Sequence, residues 1–265
     1  MELSYKSIGQ GPPLVILHGL YGMGDNWMNI AQALSQQFTV YLVDQRNHGN
    51  SAHTPLHNYD AMSADLKEFT DKLKFENFVL IGHSMGGKTA ITFTLQHGLL
   101  VKKLICVDIS PYSYLGLEAF QKNVSFHQMV LERYLTAPID KATRRDEIEA
   151  YFAEKITDTS IRRFLLKNLA RGKNHSFFWR HNVKTLADAL ESIIDAAPPV
   201  KMGAQSYVPT LFLRGGKSDY ISQEDVESIR DVFPRSQIIT YENCGHWLHS
   251  EEPERFIQDV LNFLQ

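Results

Sequence analysis

Residues 77–95 constrain the fold more than any other part of the sequence. An apolar run at residues 78–81 leads into Ser84, which is flanked by Gly82 and Gly86, and a helix-like segment follows. Gly-x-Ser-x-Gly between a strand and a helix is the pattern of a nucleophile elbow. A serine held at positive φ on such a turn crowds the residues two before and two after it, where glycine has no Cβ to clash. The pattern predicts a reactive serine at the edge of a sheet.

Short apolar runs recur along the chain and alternate with amphipathic segments. The other runs lie at residues 14–17, 39–43, 103–107, 210–213 and 236–240. Continuous apolar runs of this length are typical of strands covered on both faces. Their alternation with helical patterns indicates βαβ units and a parallel sheet. We therefore expect an α/β fold, with a mostly parallel central sheet flanked by helices.

The alternation stops after residue 111. From about residue 112 to residue 207 the sequence contains helical patterns and turns but no convincing strand. The helices predicted there span residues 117–135, 145–155, 160–170 and 183–195. We expect a core domain made of residues 1–111 and 206–265, with a helical cap at residues 112–205 inserted between its strands.

The composition excludes several other classes of protein. The chain has 265 residues, with 43% hydrophobic and 22% charged, which are ordinary globular values. A net charge of −3 gives no general reason to expect nucleic acid as a partner. No apolar window is long enough for a membrane span, and no signal peptide is visible. The two cysteines form no disulfide framework, so we expect a reducing, cytoplasmic location. The sequence carries no signal of oligomeric state.

A serine hydroxyl becomes a nucleophile only when a base takes its proton and a third group orients that base. His246 is the candidate base. It lies in a Gly-His-Trp turn after the last predicted strand, and sites in open parallel sheets gather at the carboxyl ends of strands. It also follows Ser84 in the chain order that this kind of triad requires.

The residues themselves leave two candidates for the acid. Asp219 follows the predicted strand at 210–213 in Gly-Lys-Ser-Asp, and Asp108 ends the preceding strand in Val-Asp-Ile-Ser-Pro. Both lie between Ser84 and His246 in sequence, so chain order does not separate them. Either is also interpretable as a turn or capping carboxylate at the end of a strand.

Acyl transfer needs donors for the negative charge that develops on the carbonyl oxygen. Behind a nucleophile elbow these are two backbone amides, one after the nucleophile and one from the loop after the first strand. Here they are the amides of Met85 and Leu20, and the adjacent Gly19 lets the backbone approach closely. We interpret His18 as a residue that braces this loop.

No metal or organic cofactor is expected. His53 and His57 are four residues apart, but Pro55 between them argues against a helical metal pair, and no third ligand is evident. The glycines that follow residue 17 do not form a dinucleotide-binding fingerprint. Residues 159–187 contain seven Lys or Arg and no Asp or Glu. We interpret this basic stretch as a solvated helix face; the alternative is a cap that favours an anionic leaving group, such as a coenzyme A thioester.

Taken together, the chain resembles an α/β-hydrolase over essentially its whole length. More narrowly, it is similar to the small carboxylesterases of the bacterial YbfF type and their mitochondrial abhydrolase relatives. The matching stretches are residues 18–20, 44–51, 82–88, 107–111, 178–182 and 245–249. The variants Arg-Asn-His-Gly within 44–51 and Gly-Gly-Lys within 82–88 are fairly specific to this branch.

The resemblance implies Ser84 as nucleophile, His246 as base and Asp108 as acid. In this branch the later Gly-x-Ser position often lacks an acid, whereas here Asp219 occupies it. Asp219 therefore stays as an alternative or auxiliary carboxylate.

The implied activity is that of a serine esterase. It would hydrolyse small to medium acyl esters, or acyl thioesters, through an acyl-enzyme, with a small-molecule substrate as its partner. The alternatives are another triad activity, such as carbon–carbon bond hydrolysis or perhydrolysis, and a non-catalytic ligand-binding member of the fold.

Overall fold

The computed structural model describes residues 1–172 and 176–265. The strands in this part of the chain are β1 (Tyr5–Ile8), β2 (Pro13–Leu17), β3 (Thr39–Val43), β4 (Phe78–His83), β5 (Val101–Val107), β6 (Leu169–Arg171), β7 (Phe177–Trp179), β8 (Thr210–Gly215) and β9 (Ser236–Tyr241). The α-helices are α1 (Met28–Leu34), α2 (Tyr59–Lys72), α3 (Met85–His97), α4 (Gln121–Thr136), α5 (Arg145–Ala153), α6 (Thr159–Leu166), α7 (Val183–Asp188), α8 (Leu190–Ile194), α9 (Pro198–Lys201), α10 (Gln223–Val232), α11 (Leu248–Glu251) and α12 (Pro253–Leu264).

Seven of the strands form one sheet, in the order β1-β3-β2-β4-β5-β8-β9. All neighbours pair in parallel except β1, which runs antiparallel to β3 with Tyr5 opposite Val43. The mostly parallel sheet that the sequence predicts is confirmed. The edge strand β1 was not predicted, because its residues are mostly exposed and carry no apolar pattern.

The continuous apolar runs follow from burial of both faces of the sheet. In β2, Leu14 and Ile16 pack into a cluster that contains residues of α1 and α12. Val15 and Leu17, on the opposite face, pack into a cluster that contains residues of α2 and α3. Because successive side chains of a strand point to opposite faces, both sets of positions must be apolar.

The segment between β5 and β8 contains α4–α9 and a short hairpin, in which β6 pairs antiparallel with β7. The expectation of no strand in this segment is therefore wrong. Three-residue strands are too short to show an alternating pattern. The predicted helix at 183–195 is divided into α7 and α8 at Ala189, and α9 begins at Pro198, where proline suits the first helical position. We call residues 112–205 the cap segment.

The cap segment packs into the apolar cluster that contains residues of α2 and α3. Its buried side chains, among them Tyr134, Phe152 and Leu186, belong to the same apolar cluster as Leu17. In the described residues, no helix is both long and apolar enough to cross a bilayer.

Candidate active site

Ser84 stands between β4 and α3 with φ of 53° and ψ of −121°. A Cβ on Gly82 would lie 2.3 Å from the carbonyl oxygen of Gly86, and a Cβ on Gly86 would lie 2.5 Å from that of Leu17. These contacts are with backbone atoms, which have no room to move. The two glycines therefore permit the sharp turn that brings Ser84 to the carboxyl edge of the sheet.

His246 and Asp108 meet at the same edge. The Nδ1 of His246 lies 2.8 Å from Oδ2 of Asp108, whose side chain is completely buried. Since a carboxylate only accepts, Nδ1 carries the proton and Nε2 of the neutral ring has a free lone pair. This is the tautomer that a general base needs.

Asp108 is itself held by two further donors. The amide of Gly215 donates to Oδ1 over 2.8 Å. The hydroxyl of Ser218 donates to Oδ2, the same oxygen that His246 contacts. Both donors belong to the end of β8 and the loop after it, so they fix the carboxylate relative to the imidazole.

Asp219 lies outside this arrangement. It is exposed on the loop after β8, while its neighbours Ser218 and Tyr220 face the site. The structure thus brings Asp108, and not Asp219, to His246. Ser218 and Tyr220 were missed from the sequence, although the Gly-Lys-Ser-Asp turn was recognised; a hydroxyl beside a carboxylate gives no pattern that separates the two roles.

The amides of Leu20 and Met85 border the serine. Met85 is the first residue of α3, where an amide has no acceptor within the helix. Within residues 1–172 and 176–265, neither amide donates a hydrogen bond to a protein acceptor. A Cβ on Gly19 would lie 3.1 Å from Cβ of Ser84, so the loop after β2 approaches the serine closely.

His18 lies behind that loop. Its Nε2 accepts the amide of Gln45 over 3.0 Å, and its carbonyl oxygen accepts the Gln45 side-chain amide over 2.6 Å. Both contacts join the loop after β2 to the loop after β3. This is the bracing position that the sequence indicated.

Further imidazoles surround His246. The Nε2 of His83 lies 2.9 Å from the carbonyl oxygen of His246, and its ring centroid is 4.7 Å from that of His246. His249 stacks on Trp27 at 4.1 Å. Burial lowers the pKa of His83 well below its ordinary value and that of His249 to about 3. Both rings are therefore neutral near pH 7.

Ser84 borders two small cavities of about 20 and 30 Å³. The first is lined mainly by Tyr59, Ile109, Tyr114, Phe120, Ile193, Ile194 and Tyr220. The second contains His246 and is lined mainly by Phe126, Ile161, Phe164, Leu165 and Trp247. Leu20, Ser84 and His127 border both cavities. The walls are mostly apolar, and the cap segment supplies much of each. A larger cleft of about 550 Å³, beside β1 and Arg180, contains none of the predicted site residues.

The other sequence candidates lie elsewhere. His53 is exposed and contacts the Arg180 carbonyl, whereas His57 is buried with Nδ1 3.4 Å from the Asn47 amide nitrogen. Across the described residues, no group of three or more His, Cys, Asp or Glu side chains is placed to hold a metal ion. The part of the basic stretch at residues 173–175 lies outside the described residues. None of its described Lys or Arg side chains lines either cavity at Ser84.

Comparison with known proteins shows the family to which the chain belongs. The family model for the alpha/beta hydrolase fold matches residues 12–253. The chain is 37% identical over 263 residues to "sn-1-specific diacylglycerol lipase ABHD11" of Xenopus tropicalis. The aligned region covers 98% of this chain and 80% of that protein. It is 30% identical to "Esterase YbfF" of Escherichia coli, over 95% of this chain and 92% of that protein. A solved structure described as a marine microorganism esterase has a TM-score of 0.94, 40% identity and 99% coverage of both chains.

Proposed function

The chain belongs to the α/β-hydrolase family and is a serine hydrolase of the esterase and lipase group, and we propose that it cleaves small to medium acyl esters through Ser84, His246 and Asp108. The observation that carries the proposal is the buried Asp108–His246 hydrogen bond of 2.8 Å, formed beside the elbow that presents Ser84. It supplies the oriented base without which the serine hydroxyl is unreactive.

The reaction begins when Oγ of Ser84 attacks the ester carbonyl and Nε2 of His246 accepts the hydroxyl proton. Asp108 stabilises the imidazolium that forms. The amides of Leu20 and Met85 donate to the oxyanion, and the positive end of α3 adds to their effect. The imidazolium then returns the proton to the leaving alcohol or thiol. A water activated by the same base releases the acyl group from Ser84.

The substrate class follows from the cavities and from the relatives. Both spaces beside Ser84 are small and apolar, which suits an acyl group of limited length. The relatives are named an esterase and a diacylglycerol lipase, so carboxylic esters are the first choice and acyl thioesters the second. We propose that the cap segment closes over the serine and sets the acyl length.

A cytoplasmic location is part of the proposal. Cys106 and Cys244 are both free and buried. Burial raises the pKa of both thiols, that of Cys244 to about 11, so neither is poised for redox chemistry. Free thiols of this kind suit a reducing compartment.

The direct test is Ser84→Ala. We expect loss of p-nitrophenyl acetate and butyrate hydrolysis by roughly 10³-fold or more, since the attacking atom is gone, with an unchanged circular dichroism spectrum. Ser250→Ala, at an exposed serine of α11, serves as the matched control and should keep full activity. Wild-type turnover by Ser84→Ala would contradict the proposal. A panel of acyl lengths, including thioesters, then defines the substrate range.

A further inference from the structure

The ring of Tyr220 stacks on the ring of His246. The two centroids are 3.8 Å apart and the planes are inclined by 18°. Of the other described rings near His246, that of His83 is inclined by 42° and that of Trp247 by 65°. Tyr220 therefore presents the one near-parallel π face to His246 among the described residues.

The position of Tyr220 is fixed at both its backbone and its hydroxyl. Its carbonyl oxygen accepts the hydroxyl of Tyr114 over 2.7 Å, and its amide donates to Ser218 over 3.3 Å. Its own hydroxyl lies 2.9 Å from Nε2 of His127, which belongs to α4 of the cap segment. The backbone of Tyr220 is thus held by Ser218 of its own loop and by Tyr114, and its ring is held by His127; Tyr114 and His127 both belong to the cap segment.

The protonation states of Tyr220 and His127 are consistent with a hydrogen bond between the phenol and the imidazole. Burial lowers the pKa of His127 to about 4 and raises the pKa of Tyr220 above its ordinary value. Near pH 7 both groups are neutral, so the phenol is able to donate to Nε2 of His127. The Nδ1–H of His127 then points to the hydroxyl of Tyr21, 3.4 Å away.

We propose that Tyr220 is a positioning residue for His246 and that its π face stabilises the imidazolium that His246 forms during acylation. The hydrogen bond to His127, in α4 of the cap segment, holds the Tyr220 ring in place. A cation over an aromatic face is attracted by the ring quadrupole, more strongly where water is excluded. Since Asp108 contacts only the Nδ1 edge of His246, the stacked ring acts on a part of the imidazolium that the carboxylate does not reach. This inference rests on the proposed function, because it requires His246 to be the base.

The charged and titratable groups that face His246 affect the stability of its imidazolium, so a test by pH must consider each of them. Asp108, which directly follows β5, stabilises the His246 imidazolium, whereas a proton on His83, His127 or His249 would destabilise it. Burial lowers the pKa of each of these three rings, and those of His127 and His249 lie at about 4 and 3. His127 and His249 therefore stay neutral above about pH 5, and burial favours the neutral form of His83 as well.

The sharpest experiment changes the quadrupole of residue 220 and keeps its shape. Phenylalanine and its mono-, tri- and pentafluoro analogues are placed at position 220 of the full chain, and kcat/KM for p-nitrophenyl acetate is measured from pH 5 to 9. We expect the midpoint of the acid limb to fall stepwise with fluorine number, by about one pH unit at pentafluorophenylalanine. An equal midpoint across the series would overturn the inference.

Two ordinary variants separate the ring from the hydroxyl. Tyr220→Met fills a similar space without a π face, and we expect roughly tenfold lower kcat/KM and an acid limb at lower pH. Tyr220→Phe keeps the face but loses the His127 contact; we expect about two- to fivefold lower kcat/KM and an unmoved acid limb. Tyr207→Met, at a tyrosine that is 66% exposed, is the control and should match the wild type.

The outcomes distinguish the inference from the function it rests on. If Tyr220→Met keeps the wild-type acid limb and turnover, Tyr220 only fills space and the inference is wrong, while hydrolysis by Ser84 stands. If Tyr220→Met does not fold, as judged by circular dichroism at each pH, the fluorinated series alone decides. If the wild type hydrolyses no ester, the proposed function itself fails.

Discussion

Two residues at this site hold backbone conformations that non-glycine residues rarely adopt. Ser84 has φ of 53° and Asp108 has φ of 46°. Such conformations cost on the order of 1–3 kcal/mol each and persist only where the surroundings fix them. The Ser84 amide donates to Val107 over 3.1 Å, and the Asp108 amide donates to Leu213 over 2.8 Å. Neighbouring strands thus hold both turns, and the turns bring the hydroxyl and the carboxylate to one edge of the sheet.

Substitution of the two aspartates is the residue-scale prediction. Asp108→Asn presents an amide to Nδ1 of His246, which disfavours the tautomer with a free Nε2. We expect kcat/KM for p-nitrophenyl butyrate to fall by roughly 10³- to 10⁴-fold. Asp219→Asn, at an exposed side chain, should cost less than about twofold. The reverse order of the two effects would show that Asp219 is the acid.

The sequence identified the serine and the histidine as candidates because local patterns surround both. Gly82 and Gly86 mark the elbow, and the Gly-His-Trp turn follows the last strand of the sheet. The acid stayed open on the residues alone, since both aspartates end a strand. Only the three-dimensional arrangement places Asp108 2.8 Å from His246 and leaves Asp219 exposed.

At the scale of elements, one buried lysine joins α3 to both ends of the cap segment. Lys88 is fully buried, and its Nζ donates to the carbonyl oxygens of Tyr112, Ile194 and Asp195. The ammonium also lies 4.1 Å from the ring centroid of Tyr114. Burial lowers the pKa of Lys88 well below its ordinary value. The Gly-Gly-Lys variant therefore has a structural reason: three carbonyls at the edges of the cap need a donor.

Lys88→Met tests this element-scale contact. Methionine fills a similar length but leaves the three carbonyls without their donor, so we expect the free energy of unfolding to fall by about 3 kcal/mol. Urea denaturation followed by tryptophan fluorescence measures the change. Lys102→Met, at an exposed lysine of β5, should change it by less than about 0.5 kcal/mol. An equal or greater stability of Lys88→Met would refute the role.

Elements with strong apolar patterns were predicted well, and elements without them were missed. The strands β2, β4, β5 and β8 are mostly buried on both faces, and β3 and β9 are partly buried; all six appear in the sequence as apolar runs. By contrast, β1 is an exposed edge strand, and β6 and β7 have three residues each. Their positions depend on pairing with partners distant in sequence or across a turn, which periodicity does not record.

At the scale of the whole molecule, six histidines in the described part of the chain are buried without charge. They are His18, His48, His57, His83, His181 and His249. Burial lowers the pKa of each below its ordinary value. Several of them join the cap segment to the loop after β3, where the rings of His48 and His181 lie 6.4 Å apart.

This burial predicts a loss of stability in mild acid. In the unfolded chain a histidine protonates near pH 6.5, whereas burial holds the pKa of His57 and His181 at about 3 in the folded state. The unfolded state therefore binds more protons below pH 6.5, and the free energy of unfolding falls as the pH drops from there toward 3. From pH 7.5 to 5.5 these two residues account for about 3 kcal/mol of the loss.

Urea denaturation at pH 7.5 and 5.5 measures the effect. His181→Phe should reduce the difference between the two pH values by about 1.4 kcal/mol, and His53→Gln, at an exposed histidine, should leave it unchanged. Stability that is constant or higher at pH 5.5 would mean that these rings accept protons in the folded state.

The central claim, that Ser84 is an activated nucleophile, is tested most directly by a fluorophosphonate probe with peptide mapping by mass spectrometry. We expect one adduct per chain, on Ser84, and none on Ser84→Ala. We also expect Asp108→Asn to slow labelling of Ser84 far more than Asp219→Asn does. A folded wild-type protein that hydrolyses esters but carries no adduct on Ser84, or carries it on another residue, would show that Ser84 is not the nucleophile.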